Sequence, residues 1–314
     1  MDLTSNLQRR RREALELMPV ERLLLIIVVA TGLVAGMTAL ALQRTVNWPP
    51  FIAGFLASLG FMAIGAYVRQ VKGKPRIALA LIGIGVFAGF SAASSVLIFA
   101  LLPLPNPMID DWLTYTGEIV GYDWRALVVA MTDYPIVTRA LGRIYHSSLP
   151  QMLLTICLLA AYGRSLELYR FLLVGIVTLA MAVLIWWFIP SVGYVGVLPL
   201  SEAVLVENGL TFGTDYGGYL TRLLQQGPRQ ISPEVITGVV GFPSYHMVMA
   251  CIVVWYCRRT ILFVPILLVN LAMIPATLVH GGHHLIDLVG GVAVFAAGVW
   301  IANRVIRPDG SDAV

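Results

Sequence analysis

Histidine is scarce in this chain, with five in 314 residues: His146, His246, His280, His283 and His284. Four of the five fall in two short segments. One reads Gly241-Phe242-Pro243-Ser244-Tyr245-His246, and the other His280-Gly281-Gly282-His283-His284-Leu285-Ile286-Asp287. His283 and Asp287 are four apart, so on a helix they share one face. A carboxylate that accepts from one ring nitrogen fixes the tautomer and leaves the other nitrogen nucleophilic. Gly281 and Gly282 permit close backbone approach to a ligand. In the first segment Pro243 and Ser244 mark a helix start, whose free N–H groups make an anion site. Ser244 adds a hydroxyl and His246 a titratable ring. Read structurally, the same residues are a His–Asp pair and a capped helix with an interfacial histidine, and the spacing leaves both readings open. A third is metal ligation, since His280, His283, His284 and Asp287 fall at helical spacing. The Gly pair breaks that helix, and there is no HExxH.

The elements that position these residues must be membrane helices. Apolar residues make up 58% of the chain and charged ones 12%, against roughly a quarter charged in a soluble domain. Mean hydropathy is +0.83. These values exclude a soluble globular enzyme, a disordered chain and a nucleic-acid binder. Three cysteines, Cys157, Cys251 and Cys257, lie in apolar runs without metal-ligand spacing, so a disulfide framework is not expected. The apolar runs predict an all-α polytopic bundle of about eight spans: residues 23–42, 51–68, 77–102, 140–162, 171–189, 244–257, 261–279 and 284–303. Connections 103–145 and 190–242 are too rich in Pro, Asp, Gly and Tyr to span. The run 244–257 holds only 14 residues, about 21 Å of helix, so His246 is expected to lie recessed from the surface.

Eight spans put both termini on one side. Fifteen of the 21 basic residues then fall on that side, among them Arg9 to Arg12, Lys72, Lys74, Arg258 and Arg259. The positive-inside rule makes that side cytoplasmic, with all five histidines near the opposite face. The charge is spread over the short loops of one side, which is a topology signal and not a nucleic-acid patch.

Together GFPSYH and GGHHLID, one helical hairpin apart, resemble the type 2 phosphatidic acid phosphatase superfamily. The likeness is strongest to its inositol phosphorylceramide synthase-like branch, whose motifs read FPSxH and HxxxD. Upstream, Arg143-Ile144-Tyr145-His146-Ser147-Ser148-Leu149-Pro150-Gln151 is similar to a segment of the bacterial members. HxxHH also looks like one box of the membrane di-iron desaturases, but that family needs several boxes on the cytoplasmic side. The phosphatase resemblance implies a six-helix core and a phosphohistidine mechanism. His283 would attack phosphorus, Asp287 would orient it, and His246 would protonate the leaving alkoxide. Ser244, Gly282 and nearby amides would hold phosphate oxygens, with no metal or other cofactor required. The superfamily's usual Lys and Arg-Pro motif is not found, and Ala276-Thr277 stands where Ser-Arg normally precedes the nucleophile. Arg139 and Arg143, near His146, are the first candidates to supply the charge.

The expected organisation is a basic N-terminal segment with two accessory helices (1–76), a six-helix phosphatase or phosphotransferase core (77–303) and a cytoplasmic tail (304–314). The expected partners are a lipid with a phosphate headgroup and the bilayer, with no nucleic acid. The expected location is a bacterial inner membrane, the site facing outward. Phosphatase and headgroup transferase are both compatible with the residues. A transporter is a rival, although no inverted repeat is found, and a non-catalytic scaffold is another.

Overall fold

A computed structural model of the chain describes residues 16–197, 204, 210 and 216–307. The expectations for Arg9 to Arg12 and for most of the 304–314 tail lie outside the described residues. Helix is the fold lipid demands of these apolar runs, because each backbone N–H and C=O must be satisfied within its own segment. Among the described residues the only β pairing is an isolated bridge between Val46 and Ile231. In chain order the helices are α1 (Pro19–Ala41), α2 (Trp48–Lys72), α3 (Pro75–Ala100), α4 (Asp110–Ile119), α5 (Trp124–Ala130), α6 (Pro135–His146), α7 (Ser148–Ala161), α8 (Ser165–Phe188), α9 (Tyr194–Val197), α10 (Tyr216–Gln226), α11 (Tyr245–Cys257), α12 (Phe263–Gly281) and α13 (Leu285–Val305).

Six of these, α1, α2, α3, α8, α12 and α13, are long and apolar enough to cross a membrane. They match six of the expected runs and establish a polytopic helical bundle. The other two runs differ in form. The run at 140–162 is not one helix but α6 followed by α7, bent by 54°. Pro150, the third residue of α7, has no N–H for the His146 carbonyl and its ring crowds that turn. Side chains fill the break: Ser147 Oγ donates to Ile144 O at 2.6 Å, and Gln151 Nε2 donates to Ser147 Oγ at 2.7 Å. The last run is α11, only 13 residues long, or about 20 Å. Ser244 is its N-cap, accepting from Met247 N at 3.5 Å, and Pro243 precedes the helix instead of sitting in its first turn.

Small residues let the N-terminal helices pack closely, as membrane interfaces require. A Cβ on Gly85 of α3 would lie 2.7 Å from Met62 Cγ and 2.8 Å from Ser58 O of α2. Ser58 Oγ donates to Gly85 O at 2.7 Å in the same contact. At one end of the bundle Glu21 is fully buried. Arg69 grips it through two nitrogens at 2.7 and 2.9 Å, and Tyr169 Oη donates to it at 2.6 Å. This carboxylate ties α1 and α2 to α8. The outward faces of α1 and α2 expose Ile26, Leu33, Leu40 and Leu56, side chains suited to lipid contact.

Candidate active site

The two histidine segments meet. α12 ends at Gly281, and Gly282 caps it in the left-handed region at φ 60°. The chain then passes through His283 and His284 into α13. Ser244 N donates to the Asp287 carbonyl at 2.9 Å, joining the start of α11 to the start of α13. Gly290 and Gly291 make this approach possible. A Cβ on Gly291 would stand 2.6 Å from Ser244 O, and one on Gly290 2.8 Å from the Phe242 ring.

Within this junction the His283 ring nitrogen Nδ1 lies 3.0 Å from Asp287 Oδ2. The carboxylate only accepts, so Nδ1 carries the proton and Nε2 keeps its lone pair. Oδ2 also accepts from His284 N at 2.9 Å. Asp287 is fully buried and His283 nearly so. The His246 ring stands 6.4 Å from that of His283, centroid to centroid. Tyr145 of α6 stacks on His246 at 4.1 Å with the ring planes 19° apart. The same tyrosine borders Gly281, where a Cβ would lie 3.0 Å from Tyr145 Cε2 and 2.8 Å from His283 Cδ2.

A cavity of about 790 Å³ opens on this group, with Tyr145, His146, His246, His280, Gly281 and His283 on its wall. Its other walls are largely apolar, with Phe87, Phe90 and Ile98 from α3, Met152 from α7 and Phe171 from α8. Among the described residues no Lys or Arg lines it. Four expected binding residues therefore stand apart from the wall. Arg139 and Arg143 are on the exposed face of α6. Ser244 is buried and its Oγ accepts from Met247 N in the helix cap. Gly282 forms the turn, its carbonyl accepting from Tyr194 N at 2.7 Å. His146 is on the wall.

The other two histidines of the second segment point elsewhere. His280 Nε2 lies 2.7 Å from the Thr138 carbonyl, a strut from α12 to α6. His284 is fully buried and its Nε2 lies 3.2 Å from Asp110 Oδ1 on α4. Because α12 stops at Gly281, the three rings diverge and do not form the single helix face a metal would need. Among the described residues no cluster of three or more His, Cys, Asp or Glu is arranged to hold a metal. Two phenols lie on the Asp287 side of the turn. Burial first, then neighbouring carboxylates including Asp287, pushes Tyr194 up to about 12, and burial, then the Tyr194 phenol and Asp287, raises Tyr122 as well, so both stay protonated at neutral pH. Asp110, Tyr145 and Tyr194 were not anticipated from the sequence. A faint signal existed for two of them: acidic residues in so apolar a chain need partners, and Tyr145 lies inside the Arg143–Gln151 segment.

A family model described as the PAP2 superfamily matches residues 111–301, more than half of the chain. The chain belongs to the PAP2 superfamily. The match runs from the second residue of α4 nearly to the end of α13 and includes both histidine segments. No curated protein and no solved structure matches the chain. Membership in the PAP2 superfamily supports a phosphatase-type activity on lipid phosphates, and the helical bundle makes the protein an integral membrane protein.

Proposed function

We propose that this PAP2 superfamily member transfers the phosphoryl or phosphoalcohol group of a membrane lipid through a phosphohistidine at His283. One observation carries the reading: the Asp287-held His283 ring and the His246 ring stand 6.4 Å apart on the wall of one largely apolar cavity. Attack needs about 3–3.5 Å between reacting atoms, and proton transfer a contact of about 2.6–3.2 Å. A spacing of that order suits a tetrahedral phosphorus held between the rings.

In the first step His283 Nε2 forms a bond to phosphorus, and the bond from phosphorus to the leaving oxygen breaks. Protonated His246 gives its proton to that oxygen, releasing an alcohol. In the second step neutral His246 takes the proton of the acceptor hydroxyl as its oxygen bonds to phosphorus. The P–N bond breaks, and both histidines return to their starting states. Asp287 stabilises the positive charge on His283 while the intermediate lasts. No step requires a metal. Water as acceptor gives a phosphatase, and an alcohol gives a headgroup transferase.

The cavity wall favours the second outcome. A phosphomonoester brings close to two negative charges and needs matching cations, yet the described wall offers Ser, Tyr and His and no Lys or Arg. A phosphodiester brings one. We therefore favour a lipid phosphodiester donor and the synthase-like branch of the superfamily. The segregation of basic residues supports a site on the non-cytoplasmic face, with both termini inside. The division into accessory helices (1–76), core (77–303) and tail (304–314) is part of the same proposal.

The test uses full-length protein in detergent with a panel of lipid monoesters and diesters, with and without alcohol acceptors. His283→Ala is expected to lower turnover by about 10³-fold or more, and chelator to leave it unchanged. Equal turnover with and without the His283 imidazole overturns the mechanism. Preference for monoesters overturns the transferase assignment alone.

A further inference from the structure

Immediately next to the proposed nucleophile is a second carboxylate–imidazole pair that the steps above do not use. His284 is fully buried and Asp110 is 4% exposed. His284 Nε2 lies 3.2 Å from Asp110 Oδ1. The same carboxylate accepts from Val192 N at 3.1 and 3.0 Å and from Gly193 N at 2.8 Å. Asp110 is the first residue of α4 and falls one residue before the stretch that the family model matches.

The surroundings make this pair an anchor. Tyr194 N donates to the Gly282 carbonyl at 2.7 Å. Gly193 has φ 80°, and a Cβ there would come within 2.7 Å of that carbonyl. The Tyr194 ring packs on His284 at 4.1 Å and stacks on Trp124 at 5.4 Å with planes 4° apart. Trp124 Nε1 donates to Leu278 O near the end of α12 at 2.8 Å. The turn carrying His283 is thus held from behind by α4, by α5 and by residues 192–194.

His284 has extended backbone, φ −72° and ψ 153°. In that polyproline-like conformation successive side chains point about a third of a turn apart, so His283 and His284 face different ways. Gripping His284 from behind therefore turns His283 toward the cavity. His283 lines the cavity and His284 does not, so His284 is not placed to touch substrate. A buried aspartate in an apolar bundle is costly unless its oxygens are engaged, and here three N–H groups engage them.

We infer that Asp110 and His284 are positioning residues, a rear carboxylate–imidazole pair that sets the facing of the His283 ring. The inference rests on the reading of His283 as nucleophile. His284→Gln keeps an N–H donor for Asp110, whereas His284→Met fills the space without one. In full-length protein His284→Met is expected to lower kcat by about 10²-fold, the scale of a 1 Å misplacement, with KM within about twofold, because uniform binding is untouched. His284→Gln is expected to restore most of kcat. A role in packing alone predicts the reverse order, since Met is the better filler of an apolar site.

A readout independent of turnover is the ¹⁵N spectrum of the His283 ring, identified by its loss in His283→Ala. A single Nδ1-protonated tautomer is expected in wild type and His284→Gln, and a mixture in His284→Met. Should His284→Met fail to fold, Asp110→Leu, which fills a similar space without an acceptor for His284, carries the same expectation. Wild-type kcat and an unchanged His283 spectrum in the donor-less variant overturn the inference, while an inactive His283→Ala leaves the catalytic reading standing. If His283→Ala turns over like wild type, the catalytic reading fails, and the spectrum still decides whether the pair orients the ring.

Discussion

The sharpest consequence of the geometry concerns Asp287→Asn. In wild type one oxygen, Oδ2, accepts both from His283 Nδ1 at 3.0 Å and from His284 N at 2.9 Å. The other oxygen, Oδ1, is buried and has no hydrogen-bond partner among the described residues. An asparagine can place its carbonyl oxygen where Oδ2 stands and keep both bonds. The His283 tautomer then survives, and what is lost is the negative charge facing a ring that becomes cationic in the proposed intermediate. Two unit charges about 4 Å apart interact by about 4 kcal/mol at an effective dielectric of 20. At 1.36 kcal/mol per decade that is a loss of about 10³-fold in kcat, with KM little changed. Asp287→Ala removes the acceptor as well, freeing the ring to rotate and change tautomer, so its loss grows to about 10⁴-fold. Initial rates on a fluorescent lipid phosphodiester in mixed micelles, normalised to folded protein, measure both. Equal losses in Asn and Ala would show that orientation by Oδ2 contributes nothing. An Asn variant within threefold of wild type would show that the carboxylate does not stabilise the reacting ring.

Two further perturbations separate chemistry from support. Gly281→Ala places a methyl 2.8 Å from His283 Cδ2 and 3.0 Å from Tyr145 Cε2. The ring must shift by several tenths of an ångström or more, and kcat is expected to fall by about 10- to 10²-fold while the melting temperature moves little. Arg69→Ala strands the fully buried Glu21 and is expected to cost about 3–5 kcal/mol of stability, read as a fall in melting temperature. Because this clamp lies off the cavity wall, kcat per folded molecule should stay at the wild-type value. A double change of Glu21 and Arg69 to Met should recover most of the stability, since replacing both charges by apolar groups leaves no unpaired ion.

The bundle was legible in the sequence because lipid imposes a coarse rule, about 20 apolar residues per crossing, that needs no tertiary information. Where that rule is weak, the sequence reading blurred. Pro150 was visible, but its effect depends on which residue is its fourth predecessor in a helix, so 140–162 read as one span and not as α6 bent against α7. The His283–Asp287 pair was legible for the same local reason: a separation of four residues is a contact at a helix start, and the two flank the start of α13. Its counterpart, His284 with Asp110, is separated by 174 residues, and no spacing rule connects them. Tyr145 on His246 is likewise a contact between α6 and α11 that only the packing creates. For Ser244 the sequence leaves cap and phosphate ligand open, since a hydroxyl at a helix start can be either; its Oγ accepts from Met247 N.

The charge of the substrate is the point at which sequence and structure constrain each other most. The sequence lacks the usual cationic motif, and Arg139 and Arg143 were the nearest replacements. The structure puts both on the exposed face of α6 while the adjacent Tyr145 and His146 line the cavity. Helical periodicity explains the divergence: Arg139 and Arg143 are one turn apart and share a face. Tyr145, two residues past Arg143, is turned to the other side of α6 and toward the cavity, while His146, the last residue of α6, is exposed and lies at the cavity wall. Among the described residues the basic groups at the wall are imidazoles, from His146, His246, His280 and His283. In the proposed steps His246 gives up its proton and His283 becomes the phosphorus ligand, so neither is a fixed cation throughout the cycle. This charge balance is the ground for the proposed phosphodiester donor, which carries a single negative charge before and after headgroup exchange.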